Sequence, residues 1–359
     1  MMRRHITLAA SVFSIICLSV AIFLGGCGGG GGGSAVTSSG TGTVAVFVAD
    51  GPADGYDHIW IHVTEVSLIP AEGTGRSPVV MFRSQSGKGY KIDLLDYREE
   101  DFLLTVKRRV PAGRYEKVRL KVKKIESDPP CDEEWIKLPS GKIDLNPRGT
   151  FEVKPGETLL IRLDIDANKS INLHPAGQSG KCIFRPVVFV DIEPVKWRLR
   201  CPRILKGEID RLIDEDSDGP IEGFMLALAG GRGTLEVHLL EDVVIFDDDG
   251  LPATSSDLAI GQTVWVRGRL NAKGCFQASL VVIGEVLLVK GTVEDTVDDS
   301  DGVFPLQPDP GHEFVDGTID VKVEEETLVL IDCDEQVGPE AIQKGMRALV
   351  VGKYSIQGQ

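Results

Sequence analysis

The sequence predicts an all-β chain: an antiparallel β-sandwich followed by two tandem OB-like small β-barrels, the second lacking its last strand. Three observations predict it. Apolar and polar residues alternate with period two between Gly/Pro turns through residues 43–195. A repeat with an offset of 84 residues fills the remainder. The charge divides at the same boundary. The whole chain carries −15, whereas the part from residue 204 onward has about 31 acidic and 11 basic residues. The part before it, without the first 26 residues, is slightly basic.

The first segment is an export signal. Met1-Met2-Arg3-Arg4-His5 is a basic head, and Ile6 to Leu24 is apolar apart from Thr7, Ser11, Ser14 and Ser19. Leu24-Gly25-Gly26-Cys27 follows. Small residues let the backbone enter a peptidase cleft, and a thiol accepts a diacylglyceryl group. This stretch resembles the bacterial lipobox, which implies that residues 1–26 are a signal peptide and that Cys27 carries the lipid. The alternative is an uncleaved transmembrane helix, since about 19 apolar residues can span a bilayer. Gly28 to Gly33 and the Ser/Thr/Gly-rich Ser34 to Gly42 make residues 27–42 a flexible tether. Gly28 offers no Asp-type retention signal, so the outer membrane is expected rather than the inner.

Residues 43–195 form the sandwich. Strands are expected at Thr43–Val48, His58–Val66, Lys117–Lys123, Leu159–Asp166 and Ile183–Ile192, with one short helix around Arg98–Val106. Turns fall at Asp50-Gly51-Pro52, Pro111-Ala112-Gly113, Pro139-Ser140-Gly141 and Lys154-Pro155-Gly156. Several stretches resemble an uncharacterised β-sandwich family of bacterial lipoproteins. They are Gly42-Thr43-Val44-Ala45-Val46 with Asp50-Gly51-Pro52-Ala53-Asp54, Ile92-Asp93-Leu94-Leu95, Val110-Pro111-Ala112-Gly113-Arg114-Tyr115, Phe151-Glu152-Val153-Lys154-Pro155-Gly156, and Leu163-Asp164-Ile165-Asp166-Ala167-Asn168-Lys169-Ser170-Ile171. Gly51 stands where the family often has Ala. The resemblance implies a fold and a location, and no chemistry.

Three features of this domain are candidate sites. His58, Trp60 and His62 share a strand face, but the two histidines are about 13 Å apart in a strand, too far for one metal. Asp164 and Asp166 are about 6.6 Å apart on one face, with His174 beyond, a spacing compatible with acid–base work or an oxygen-ligand metal. Turn-holding hydrogen bonds are the competing role for these residues. Lys107, Arg108 and Arg109 precede a turn, and Lys117, Arg119, Lys121 and Lys123 form a basic stripe. That stripe is either a solvated face or a contact for anions such as lipid headgroups near the tether.

Residues 203–286 and 287–359 are the two OB-like repeats. Lys206-Gly207-Glu208-Ile209-Asp210 matches Lys290-Gly291-Thr292-Val293-Glu294, and Thr234-Leu235-Glu236-Val237 matches Thr318-Ile319-Asp320-Val321. Gly261 matches Gly345, and Gly268-Arg269 matches Gly352-Lys353. A helical turn is expected at Asp257–Gly261 and at Glu340–Gly345, and a bend or bulge at Gly268 or Gly352. The last strand of the first copy is Phe276–Ile283, and its counterpart falls beyond Gln359. The copies resemble a second uncharacterised family of exported proteins, through Asp257-Leu258-Ala259-Ile260-Gly261 and Val264-Trp265-Val266-Arg267-Gly268. The second copy departs from that pattern at Ala341-Ile342.

OB-like barrels often bind nucleic acids, but the acidic charge and the single Trp265 argue against this. Asp214, Asp216 and Asp218 in Asp214-Glu215-Asp216-Ser217-Asp218-Gly219 open like a calcium loop, so Ca2+ is a candidate ligand. Met225 occupies the place of the bidentate Glu, and a solvated hairpin turn is the competing reading.

Seven cysteines are present and no C-x-x-C. An oxidising compartment permits a disulfide. Cys131–Cys182 is the expected pair with Cys182–Cys201 as rival, and Cys275 and Cys333 are expected to be isolated. No metalloprotease, nucleophile-elbow or phosphate-loop motif occurs. The expected function is a non-catalytic binding or structural role at the cell envelope, with membrane, envelope polysaccharide or protein as partners. A calcium-stabilised module and an envelope-polymer hydrolase are the alternatives.

Overall fold

A computed structural model describes residues 4–8, 40–50, 58–95, 102–128, 136, 138, 140–147, 149–165, 171–172, 183–184, 187–194, 202–214, 220–271, 273–298, 300–309, 317–325, 327–331 and 335–356. The architecture is all-β. β1 is Arg4–Leu8. The sandwich contains β2 (Thr41–Asp50), β3 (His58–Pro70), β4 (Val79–Arg83), β5 (Tyr90–Asp93), β6 (Phe102–Pro111), β7 (Gly113–Asp128), β8 (Lys142–Leu145), β9 (Phe151–Val153), β10 (Thr158–Ile165), β11 (Ile171–Asn172), β12 (Ile183–Phe184) and β13 (Val188–Pro194). Barrel one contains β14 (Arg203–Ile213), β15 (Gly223–Leu228), β16 (Thr234–Phe246), β17 (Pro252–Ala253), β18 (Thr263–Leu270) and β19 (Phe276–Ile283). Barrel two contains β20 (Leu287–Val293), β21 (Val303–Pro308), β22 (Ile319–Val323), β23 (Val329–Ile331), β24 (Glu335–Val337) and β25 (Arg347–Ile356).

One sheet of the sandwich has the order β13-β10-β2-β6, and the other β4-β3-β7-β8 with β5 on β3 and β9 on β7. The pairing is antiparallel except that β10 runs parallel to β2. The central β2 is buried on both faces. Val44, Val46 and Val48 enter the sandwich core, whereas Ala45 and Phe47 enter the core of barrel one. β6 divides likewise, Leu104 going to the first core and Leu103 and Val106 to the second. This overturns the helix expected around Arg98–Val106, because residues 102–106 lie in β6. A sheet covered on both faces needs apolar residues at consecutive positions, which erases the period-two signal.

In barrel one, β15 pairs with both β14 and β16, so the path β15-β14-β18-β19-β16 returns on itself. Barrel two closes as β1-β22-β21-β20-β25. The two copies agree in detail. Gly261 N–H donates to Ile209 O at 2.8 Å, and Gly345 N–H donates to Val293 O at 2.8 Å. Both glycines have positive φ, 87° and 85°, where a Cβ would be strained. Short 3-10 turns stand at Ser255–Asp257 and Pro339–Ala341, and the pairing slips at Arg267/Gly268 as the glycine predicts. The offset falls to 80 at the second strand alone, where Phe304 and Leu306 take the places of Phe224 and Leu226. The first hairpin of copy two is therefore four residues shorter. Among the described residues, no helix is long and apolar enough to cross a membrane.

Candidate functional site

The outer face of the β4-β3-β7-β8 sheet presents a ladder of charges. Ile59, Ile61 and Val63 point into the core from β3, and after the irregular pairing around Val63 and Glu65 the inward residues become Val66 and Leu68. Glu65 and Ser67 therefore share the outer face with the stripe on β7. Each stripe residue has an acidic or carbonyl partner. Lys117 Nζ lies 3.1 Å from Glu116 Oε1, and Lys121 Nζ lies 3.0 Å from Glu65 Oε1. Arg119 donates to both oxygens of Asp144, at 2.5 and 2.7 Å. Lys123 Nζ donates to Gly87 O at 3.2 Å. Arg83 completes the ladder with two bonds to Glu65 Oε2, at 3.0 and 2.8 Å.

These pairs set a pH dependence. Burial raises the Glu65 carboxyl, and bonds from Lys121, Arg83 and Ser67 outweigh it, leaving the pKa below the usual 4.5. Arg119 holds Asp144 below 3.8, and Lys124, with His62, holds Glu126 below 4.5. A carboxylate with a depressed folded pKa stabilises the fold above its unfolded pKa and loses that contribution as pH falls through the folded value. Urea midpoints of the wild type are expected to drop below about pH 4.5, and Glu65→Gln is expected to flatten part of that drop. Identical acid limbs for the two proteins would refute the role of Glu65.

At the other end of the ladder His58, Trp60 and His62 share the outer face of β3, as the alternation requires. Each has its own partner. His58 Nδ1 donates to Asp93 Oδ2, and both side chains are buried. Asp93 Oδ1 also accepts from Ile59 N–H at 3.2 Å and Leu95 N–H at 3.1 Å. His58 stacks on Trp60 at 4.8 Å, and Lys91 Nζ lies 3.9 Å from the Trp60 ring centre on the other strand. His62 Nε2 sits 2.7 Å from Glu126 Oε2. The histidines are tied to separate carboxylates, so the face works as a chain of local pairs.

A further cluster was not signalled by any motif. Glu236, His238 and Cys275 bring their ligand-type atoms within 4.8 Å of one another. His238 Nε2 lies 2.9 Å from Glu236 Oε1, and Arg108 of the sandwich also pairs with Glu236. Cys275 is disulfide-bonded, to a cysteine outside the described residues. This corrects the expectation that Cys275 is isolated. It also removes the thiolate a metal would need, and the oxidised Sγ, 3.6 Å from Glu236 Oε1, has no proton to donate. The cluster therefore seals the contact between barrel one and β6. Its only sequence trace is the i, i+2 spacing of Glu236 and His238.

Of the calcium candidates, Asp214 is exposed, and Asp216 and Asp218 lie outside the described residues. The corresponding turn of copy two is held by its own backbone. Asp298 Oδ1 accepts from Ser300 N–H at 2.8 Å and Ser300 Oγ at 2.6 Å, which pull its pKa below 3.8. Asp301 Oδ1 accepts from Val303 N–H at 3.0 Å. Asp164 accepts from Arg162 at 3.3 Å, while Asp166 and His174 lie outside the described residues, as do Cys27, Cys131, Cys182, Cys201 and Cys333.

Fold and surface together define an all-β protein of one sandwich and two small barrels, with an ion-paired outer face. Residues 41–186 match the family described as Domain of unknown function (DUF4382), so the N-terminal part contains that uncharacterised domain. No curated protein and no solved structure matched the chain. One turn within the matched residues is held by a side-chain bond. In Val110–Tyr115, Tyr115 Oη donates to Pro111 O at 2.7 Å across the turn, and Gly113, at φ 138°, leaves room for the Arg76 guanidinium.

Proposed function

We propose that this is an exported lipoprotein, anchored through Cys27, with a non-catalytic binding or structural role at the cell envelope. The reading is carried by Leu24-Gly25-Gly26-Cys27 directly after a basic head and an apolar run, with a Gly-rich tether behind it. The Cys275 disulfide supports it, since disulfides persist in oxidising compartments. The mutual pairing of Lys117, Arg119 and Lys121 with carboxylates favours a structural outer face whose contacts use alternating charge. The envelope polymer or protein that meets this face defines the partner class.

Cell fractionation tests the anchor. The wild type is expected with the membranes, carrying a lipid-modified mass at residue 27, and Cys27→Ser is expected in the soluble fraction. A Cys27→Ser protein that stays with the membranes and keeps residues 1–26 would refute the lipid anchor in favour of an uncleaved helix.

A further inference from the structure

The two barrels are closed by strands from different parts of the chain. In barrel one β19 runs parallel to β16 and antiparallel to β18. Phe276 stands opposite Val237 and Leu270, and Gln277 opposite His238 and Arg269. In barrel two β1 takes this place, parallel to β22 and antiparallel to β25. Ile6 stands opposite Val321 and Tyr354, and Thr7 opposite Lys322 and Lys353. Those four partners lie 84 residues after Val237, Leu270, His238 and Arg269. β1 therefore occupies the β19 position in the same register, with Ile6 where Phe276 stands.

The seam is thus selective. Its two walls dictate a strand direction and a register, because one bonds parallel and the other antiparallel. Behind it lie Val289, Val293, Phe304, Leu306 and Val321, buried in the separate core of barrel two. Removing β1 leaves two rows of backbone groups without their ladder partners and uncovers that core. Residues 4–8 belong to the segment that the export reading removes.

We propose that the seam between β22 and β25 is a strand-accepting site, and that in the processed chain it binds an extended segment of a partner protein. Main-chain bonds would supply affinity, and alternate side chains specificity. The positions matched to Phe276 and Ala278, both buried in barrel one, take apolar residues, and β1 places Ile6 and Leu8 there. The position between Lys322 and Lys353 takes a neutral polar residue, as Gln277 does between His238 and Arg269. The position opposite Asp320 is held by His5 in β1 and corresponds to that of Cys275 in barrel one.

The inference rests on the processing proposed above, and the test separates the two. The chain 28–359 and the full chain 1–359 are titrated with two labelled peptides. One spans residues 3–10 and the other residues 274–284 with Cys275→Ser. Chain 28–359 is expected to bind both at one saturable site, about 10-fold or more tighter than scrambled peptides. The full chain is expected to bind neither. Hydrogen exchange should slow in β22 and β25 on peptide addition and stay unchanged in β16 and β18. Binding no better than the scrambled peptides overturns the site. A seam already protected in chain 28–359 overturns it in favour of another segment of the same chain. A dimer that the peptides dissociate overturns the partner claim in favour of a second copy. The N-terminal mass of the protein isolated from cells tests processing by itself, and peptide binding to chain 28–359 does not depend on that result.

Discussion

Gly233→Ala is expected to uncouple barrel one from the sandwich. Gly233 has φ 126°, and a Cβ there would lie 2.2 Å from Val106 O, a backbone atom of β6 that cannot swing aside. The residue before it locks the same contact. Arg232 is 4% exposed, donates from Nε to Ala229 O at 2.8 Å, and donates from Nη1 to Leu103 O. Its guanidinium lies 4.6 Å from the Tyr90 ring centre and 4.8 Å from that of Phe102. Its own carbonyl accepts Thr105 Oγ1 at 2.6 Å. The Cβ clash and the unfavourable φ are expected to cost about 3 kcal/mol or more. Arg232→Ala, which leaves a void and stranded carbonyls, is expected to cost about 2–4 kcal/mol. Urea unfolding should resolve into two transitions in Gly233→Ala, and amides of β2 and β6 should exchange faster. A single transition at the wild-type midpoint would contradict this account of the interface.

Asp93→Ala is expected to lower stability by about 3–5 kcal/mol, the range for removing one partner of a buried, hydrogen-bonded charge. Three donors lose their acceptor together: His58 Nδ1, Ile59 N–H and Leu95 N–H. The loss should exceed that of His58→Ala, which leaves the two backbone bonds in place. Denaturant midpoints of the two variants decide the matter, and equal losses would mean that Asp93 serves His58 alone.

The sequence was legible where one face of a strand meets water. β7 alternates cleanly because Val118, Leu120 and Val122 enter the core while Lys117, Arg119 and Lys121 face out. The repeat was legible because Ile209, Gly261 and their counterparts Val293 and Gly345 make the same backbone bonds. Legibility failed where two cores share a sheet. Nothing in Phe102–Val106 announces that Leu103 and Leu104 serve different cores, so a helix was the natural reading. The cluster of Glu236, His238, Cys275 and Arg108 was hidden for a related reason. Its members come from β16, the residue before β19, and β6, and only the folded chain brings them together. The register of β1 against barrel two was hidden as well, since Arg4 and His5 read as part of the basic head of an export signal and Ile6 to Leu8 as the start of its apolar run.

The position of β2 has a mechanical consequence. It begins at Thr41, directly after the Gly-rich stretch, and lies between β10 and β6 with ladders along most of its length. A pull entering at Thr41 and resisted elsewhere in the fold acts along the strand and across its hydrogen bonds. The bonds to β10 and β6 then carry the force together in shear, instead of opening one after another as in a peeled edge strand. Because β2 also anchors Ala45 and Phe47 in the second core, the same pull is shared by barrel one. Under the anchoring proposed at Cys27, β2 is thus the stress-bearing strand of the protein.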